Sequence, residues 1–142
     1  MKSLQRSVGR YVGKLSNKIR RRLGAFSFRG EFSPAEGRAL HFILAQPPQE
    51  ELFQKDIEEE YGLRPSSATE LLKKMEKDGL IRREATDYDA RLKRIIASEK
   101  AMSYQARVVE DLTRLEEDLT RGISKEDMEV FFRVIEKMLD NL

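Results

Sequence analysis

The sequence predicts a mostly α-helical chain with a small β-hairpin wing: a winged helix-turn-helix with dimerisation helices contributed by both ends. Three observations carry this. Residues 54–77 read as two short helices around a turn at Gly62 and Leu63. Residues 80–97 hold two β-rich arms around a charged loop. Apolar residues recur at helical spacing near both ends of the chain. Helix, turn, helix and then a charged hairpin is an arrangement that reads nucleic acid.

The 142 residues include no Cys and one His, His41. Disulfides, thiol switches and Cys-ligated zinc are therefore excluded. The longest apolar run, 39–45, is interrupted by His41 and is far too short to span a bilayer. The basic start has no apolar block after it, so the chain reads as cytoplasmic, with no membrane partner. A net charge of +2 hides an uneven distribution. Residues 1–30 hold nine Lys/Arg and no acid, 31–63 two against eight, 64–100 ten against seven, and 101–142 six against ten. The bland reading of the basic start is a solvated helix face. The favoured one is a basic helix that packs on the acidic C-terminal helices and lies near DNA.

In chain order, Leu4, Val8, Tyr11, Val12, Leu15, Ile19 and Leu23 make a helical stripe over 4–23. The run from Gly9 to Lys14 imitates a phosphate loop. It is one residue short, Leu15 replaces the hydroxyl residue, and no strand precedes it. Gly24 and Gly30 flank a loop. Ser33, Pro34 and Glu36 form a capping box with proline at the first helical position, so a helix starts there. Leu40, Ile43 and Leu44 give that helix its main apolar face. Phe42 points nearly the opposite way, with Ala35 and Arg38 near it, which predicts burial between the winged helix and the long terminal helices. Pro47 and Pro48 end it.

Glu58, Glu59 and Glu60 are consecutive on the next helix and diverge in direction, so they read as a solvated face rather than a metal site. In the following helix, Pro65–Lys77, residues Ala68, Leu71, Leu72 and Met75 share one face. The opposite face holds Ser66, Glu70, Lys73 and Lys77, with Thr69 on its flank. Short hydroxyls near the N-terminus reach base edges, and lysines further along suit phosphates. The bland alternative is an ordinary amphipathic surface helix.

The arms of the hairpin are 80–83 and 94–97. Asp87, Asp89, Arg91 and Lys93 make the loop between them polar and projecting. Arg91 at the tip suits a minor groove, and Lys93 and Arg94 suit phosphate contact or wing structure. Asp89 orients the wing through local backbone or by pairing with an arginine such as Arg83. The alternative is a charged loop that only keeps the protein soluble. Ser98 caps a long helix to about Arg121, with a seam at Val108, Leu112, Leu115 and Leu119. Gly122 breaks it. Ser124 starts a last helix bearing Met128, Phe131, Phe132, Ile135, Met138, Leu139 and Leu142, too much apolar surface for a free terminal helix. A homodimer uses it most simply.

The stretch from Asp78 to Ala101 resembles the signature of the MarR family, the multiple-antibiotic-resistance regulators. Gly79, Leu80, Ile81 and Arg83 match its first wing strand, Asp89 and Arg91 its Asp-x-Arg wing, and residues 97–101 its entry to a long helix. Residues 32–40, 64–69 and 122–127 resemble its second-helix start, its recognition-helix start and its last inter-helix turn. Arg64 stands where a capping serine is usual, Pro65 where arginine is frequent, and Glu58 where a small residue is common. The base contacts of this chain therefore differ from the usual set.

The resemblance implies a regulator that binds double-stranded DNA as a homodimer on a pseudo-palindromic operator, with repression relieved by a small ligand. The expected DNA-binding residues are Arg64, Ser66, Ser67, Thr69, Glu70, Lys73, Lys74, Lys77, Arg91, Lys93 and Arg94. Domain organisation follows: 1–31 an N-terminal helix and loop in the dimerisation region, 32–97 the DNA-binding winged helix, 98–142 two dimerisation helices. In such proteins ligands lodge where the reading lobe meets the dimer helices. Here that junction involves Tyr11, Leu15, Arg38, His41, Phe42, Met102 and Ala106. An arginine beside aromatic side chains suits an aromatic carboxylate. No cofactor or metal is expected. Enzyme readings fail on inventory, since one His, no Cys and no Gly-rich loop leave scattered carboxylates. The competing reading is a winged helix that binds protein and not DNA, which predicts a neutral or apolar recognition face.

Overall fold

The computed structural model describes residues 5–26, 28, 31–47 and 49–142. The expectations that fall on Leu4, Gly30 and Pro48 lie outside these. The elements run α1 (Val8–Phe26), α2 (Pro34–Ala45), α3 (Gln54–Tyr61), α4 (Pro65–Lys77), β1 (Ile81–Ala85), β2 (Lys93–Ala97), α5 (Glu99–Met102), α6 (Gln105–Thr120) and α7 (Lys125–Asp140). Helix α1 runs through Gly24, so no loop begins there.

Helix α2 starts as its sequence dictates. Ser33 Oγ accepts from the Glu36 amide at 3.3 Å, and the Glu36 carboxylate reaches back to the Ser33 amide at 3.4 Å. Ala39, Leu40, Ile43 and Leu44 are buried in one core with Ile57 of α3, Leu72 and Met75 of α4, Leu80, Ile81 and Ile95 of the wing, and Ala101 and Val108 beyond it. Each fully buried Leu or Ile in such a core is worth about 1.5–3 kcal/mol.

Helix α2 is thus covered from two sides, but by different residues than expected. Phe42 meets the Tyr61 ring of α3 at 6.2 Å between centroids, on the winged-helix side. The side toward α6 is taken by His41, which is buried. Its ring lies 5.0 Å from that of Phe28, and Phe28 in turn stacks edge-on with Tyr104 at 5.4 Å.

Gly62 sits at φ +62°, ψ +34°, and its left-handed backbone closes α3 and turns the chain into α4. Beyond α4, the Leu80 amide bonds back to the Met75 carbonyl at 2.9 Å. Strands β1 and β2 are antiparallel, with Ile81 opposite Ala97 and Arg83 opposite Ile95. They reach further toward the tip than the expected arms. Leu52 adds a pairing to the outer edge of β2, where its carbonyl accepts from the Ile95 amide at 2.7 Å.

Ser98 caps as expected, its Oγ accepting from the Ala101 amide at 3.1 Å. The long helix it was to begin is broken, however: α5 stops at Met102 and α6 restarts at Gln105. Ser103 Oγ bonds the Lys100 carbonyl at 2.6 Å, and the Tyr104 amide bonds the Ala101 carbonyl at 3.0 Å. The bend directs Tyr104 into the cluster with Phe28 and Phe32. Part of the seam of α6 is used inside the chain. Val108 and Leu115 are buried within the single chain, where α6 lies along α2 and α1. An ion pair from Arg22 to Asp118 joins α1 to α6.

Candidate nucleic-acid interface

The two faces of α4 divide as their spacing requires. Ala68, Leu72 and Met75 have no exposed surface, and Ser66, Ser67, Glu70, Lys73 and Lys77 are exposed on the other side. Pro65 occupies the first turn after Arg64, whose side chain makes no cap bond and stands exposed. Lys73, Lys77 and Arg64 carry no ion pair among the described residues.

Thr69 is half-buried on the flank. Its hydroxyl donates to the Pro65 carbonyl at 2.8 Å and accepts from the Gln54 amide at 3.0 Å. The same Gln54 amide reaches Pro65 O at 3.2 Å and Glu58 Oε2 at 3.1 Å, and Gln54 Oε1 accepts from Arg83 Nη1 at 3.5 Å. Sequence reasoning missed Gln54. Its partners Thr69 and Arg83 are 15 and 29 residues away, and no helical or strand period relates them to it.

Lys74, expected among the DNA contacts, has a partner within the fold. Its Nζ lies 2.8 Å from Glu36 Oε1, so this cation braces α4 against α2. Glu36 has 1% of its surface exposed. Burial opposes its ionisation, but hydrogen bonds with Lys74, Asp78 and Ser33 outweigh that and hold its pKa below the ordinary value. The contact raises Asp78, chiefly through the hydrogen bond it gives Glu36, and raises Lys74 for the same reason.

In the wing, Thr86 organises the loop. Its hydroxyl donates to the Asp89 carbonyl at 2.6 Å, and the Asp89 amide returns a bond at 3.1 Å. Asp89 orients the tip as expected, but through Arg91: Oδ1 accepts from the Arg91 amide at 3.0 Å, with Nε 3.4 Å away. Arg83 does not pair with Asp89. It is held by Glu76 at the end of α4, Nε to Oε1 2.8 Å, which ties β1 to the recognition helix. Arg94, expected to contact phosphate or to support the wing, is held by Glu51 at 2.9 Å. Glu51 takes the Tyr88 hydroxyl as well, at 2.6 Å. Arg91 remains the projecting charge, with 92% of its side chain exposed, and Lys93 is exposed beside it.

Five of the seven residues expected at the lobe junction lie on the surface of the single chain. Tyr11, Leu15, Met102, Ala106 and Arg38 are exposed. His41 turns inward, its Nδ1 2.9 Å from the Gly37 carbonyl, while Phe42 faces α3. The Tyr61 hydroxyl donates to the Arg38 carbonyl at 2.5 Å, and burial pushes the phenol up to about 12, so it stays a donor.

Comparison with known proteins places this geometry. The model of the MarR family matches residues 31–92. A crystal structure of the transcription regulator MarR from Oenococcus oeni is 22% identical, covers 94% of this chain and 99% of its own, and superposes with a TM-score of 0.81. S. aureus MepR in its DNA-binding conformation is 20% identical over 95% of this chain and 98% of its own, with a TM-score of 0.84. The S. aureus MepR–DNA complex is 20% identical over 96% and 98%, with a TM-score of 0.76. No helix among the described residues is long and apolar enough to cross a membrane. Over residues 31–92 the chain is similar to the MarR family, and along its length it has the winged-helix fold of these solved transcription-regulator structures.

Proposed function

We propose that this protein binds double-stranded DNA sequence-specifically as a homodimer, laying α4 in the major groove and the wing tip in the flanking minor groove. One observation carries the reading. The outer face of α4 presents Ser66, Ser67, Glu70, Lys73 and Lys77 beside a wing whose Arg91 stands clear of the surface. Hydroxyls and a carboxylate that address base edges are flanked by cations that address phosphates. A winged helix that bound only protein has no use for this division. A solved structure of the same fold is a MepR–DNA complex, which supports DNA as the partner.

The homodimer rests on surface left open by the single chain. Helix α7 has no buried residue, and Val130, Phe131, Phe132, Val134 and Leu139 are exposed on it. Val8, Tyr11, Val12 and Leu15 of α1 are exposed too. Continuous apolar helix faces of this kind close by pairing with a second copy, and the basic α1 complements the acidic residues of α6 and α7. Residues 1–31 and 98–142 then form the dimerisation region and 32–97 the reading domain. A two-fold dimer requires an operator with inverted half-sites. Repression released by a small anionic ligand completes the proposal.

Selection of bound duplexes from a random pool, read by sequencing, tests it. An enriched inverted repeat is expected. Enrichment of no sequence, with affinity insensitive to salt, overturns the reading.

A further inference from the structure

The hydroxyl of Thr69 has a single proton, and it is given to the Pro65 carbonyl at 2.8 Å. The oxygen also receives the Gln54 amide at 3.0 Å. Gln54 is not loose. Its two amide protons are shared among Thr69 Oγ1, Glu58 Oε2 and Pro65 O, and Arg83, itself anchored by Glu76, holds its Oε1. Thr69 therefore has no proton to donate to a base acceptor, although it lies partly exposed between the reading face of α4 and α3. What it brings to a duplex is its methyl group. In the major groove, the feature that answers a methyl is the C5-methyl of thymine.

Resting on the DNA-binding reading above, we propose that Thr69 is a specificity-determining residue that selects thymine by apolar contact with its methyl group. Ser66 and Ser67 lie one turn or less before it and address base edges by hydrogen bonding, so the N-terminal half of α4 reads by two different chemistries.

The experiment uses the full chain and the duplex that the wild-type protein enriches from a random pool. Each half-site thymine is replaced singly by deoxyuridine, which removes the methyl and keeps the pairing. At one position per half-site affinity falls about fourfold, the worth of one buried methyl group. Thr69→Val, which keeps a methyl and lacks the hydroxyl, retains that sensitivity to deoxyuridine. Thr69→Ser, which keeps the hydroxyl and lacks the methyl, binds the thymine duplex as weakly as the wild type binds the deoxyuridine duplex and is indifferent to the replacement. Thermal melts of both variants confirm that they fold. Thr69→Ser with undiminished sensitivity overturns the proposal, as does Thr69→Val without any. An enriched duplex indifferent to every deoxyuridine overturns it and leaves the DNA-binding reading standing. If the wild type enriches no duplex, both fall.

Discussion

Lys74 Nζ lies 2.8 Å from the buried Oε1 of Glu36, joining the recognition helix to the helix behind it. The same Glu36 carboxylate closes the capping box on Ser33. One side chain thus fixes the start of α2 and the distance between α2 and α4. A cation engaged in this way is expected to contribute little to counterion release from DNA.

Two lysines three residues apart should therefore behave differently. Lys77→Met removes an exposed cation from the reading face, and the slope of log affinity against log salt should shrink by about 1. Lys74→Met should leave that slope near the wild-type value. It should instead lower the urea midpoint, because Glu36 loses its cation while remaining buried. Equal changes of slope in the two variants would return Lys74 to the DNA surface.

The wing makes a second contrast. Arg91→Ala should weaken operator binding and reduce the salt slope with no change in thermal stability, since its side chain is 92% exposed and Asp89 is its one ion-pair partner among the described residues. Arg94→Ala should lower stability by about 1 kcal/mol or less, the worth of an ion pair in partial contact with water. Titration of both variants against the selected duplex at several salt concentrations, beside thermal melts, separates the roles.

These contrasts mark where the sequence was legible. Short-range rules worked. Ser33 with Glu36, Ser98 with Ala101, Gly62 in its left-handed turn and the buried face of α4 all depend on neighbours within one or two helical turns. Side chains that act across elements were illegible. Arg83 reaches Glu76, Arg94 reaches Glu51, and Gln54 reaches Thr69, and these partners are set by how helices and strands cross. The break at Ser103 and Tyr104 escaped for a related reason. Nothing local forbids a continuous helix there, and the bend places Tyr104 against Phe28.

The terminal helix supplies a third prediction. A chain truncated before Ser124 should sediment as monomer or aggregate and lose operator binding, because two half-sites are held together only while the subunits are. A truncated chain that remains a tight-binding dimer contradicts the assignment of α7 to the interface.

His41 gives a pH dependence. Burial lowers its pKa below the ordinary 6.5, against the smaller opposing effects of the Gly37 carbonyl and Asp111. The carbonyl partner fixes the neutral ring with its proton on Nδ1. The unfolded chain therefore takes up a proton that the folded chain refuses. This contribution to stability is complete above the ordinary pKa and is lost as pH falls below it. Urea melts on either side of 6.5 should show the wild type weakening toward acid, and His41→Gln should weaken less steeply. Parallel slopes would mean that His41 is protonated as readily in the fold as out of it.

The effector is the last expectation to test, and Arg38 is where to test it. Its side chain is exposed on α2, one turn before Phe42. The hydroxyl of Tyr61 is anchored on its backbone and the ring of Tyr61 packs on Phe42, so Arg38 stands at the margin of an aromatic pair. A guanidinium in that position takes a carboxylate by two parallel hydrogen bonds while a ring packs alongside. Tyr11, Leu15, Met102 and Ala106 are exposed in the single chain and are proposed to approach this margin only in the dimer. Binding alone releases nothing. The ligand must prefer the arrangement that does not hold DNA, and the shift it produces is bounded by that preference. The test is a pair of titrations with a salicylate-like acid, one on free protein and one on the operator complex. The acid should bind the free protein more tightly and weaken operator binding, and Arg38→Ala should abolish that weakening while operator affinity without the acid stays at the wild-type value. Loss of operator binding by Arg38→Ala with no acid present would assign the guanidinium to the DNA surface instead.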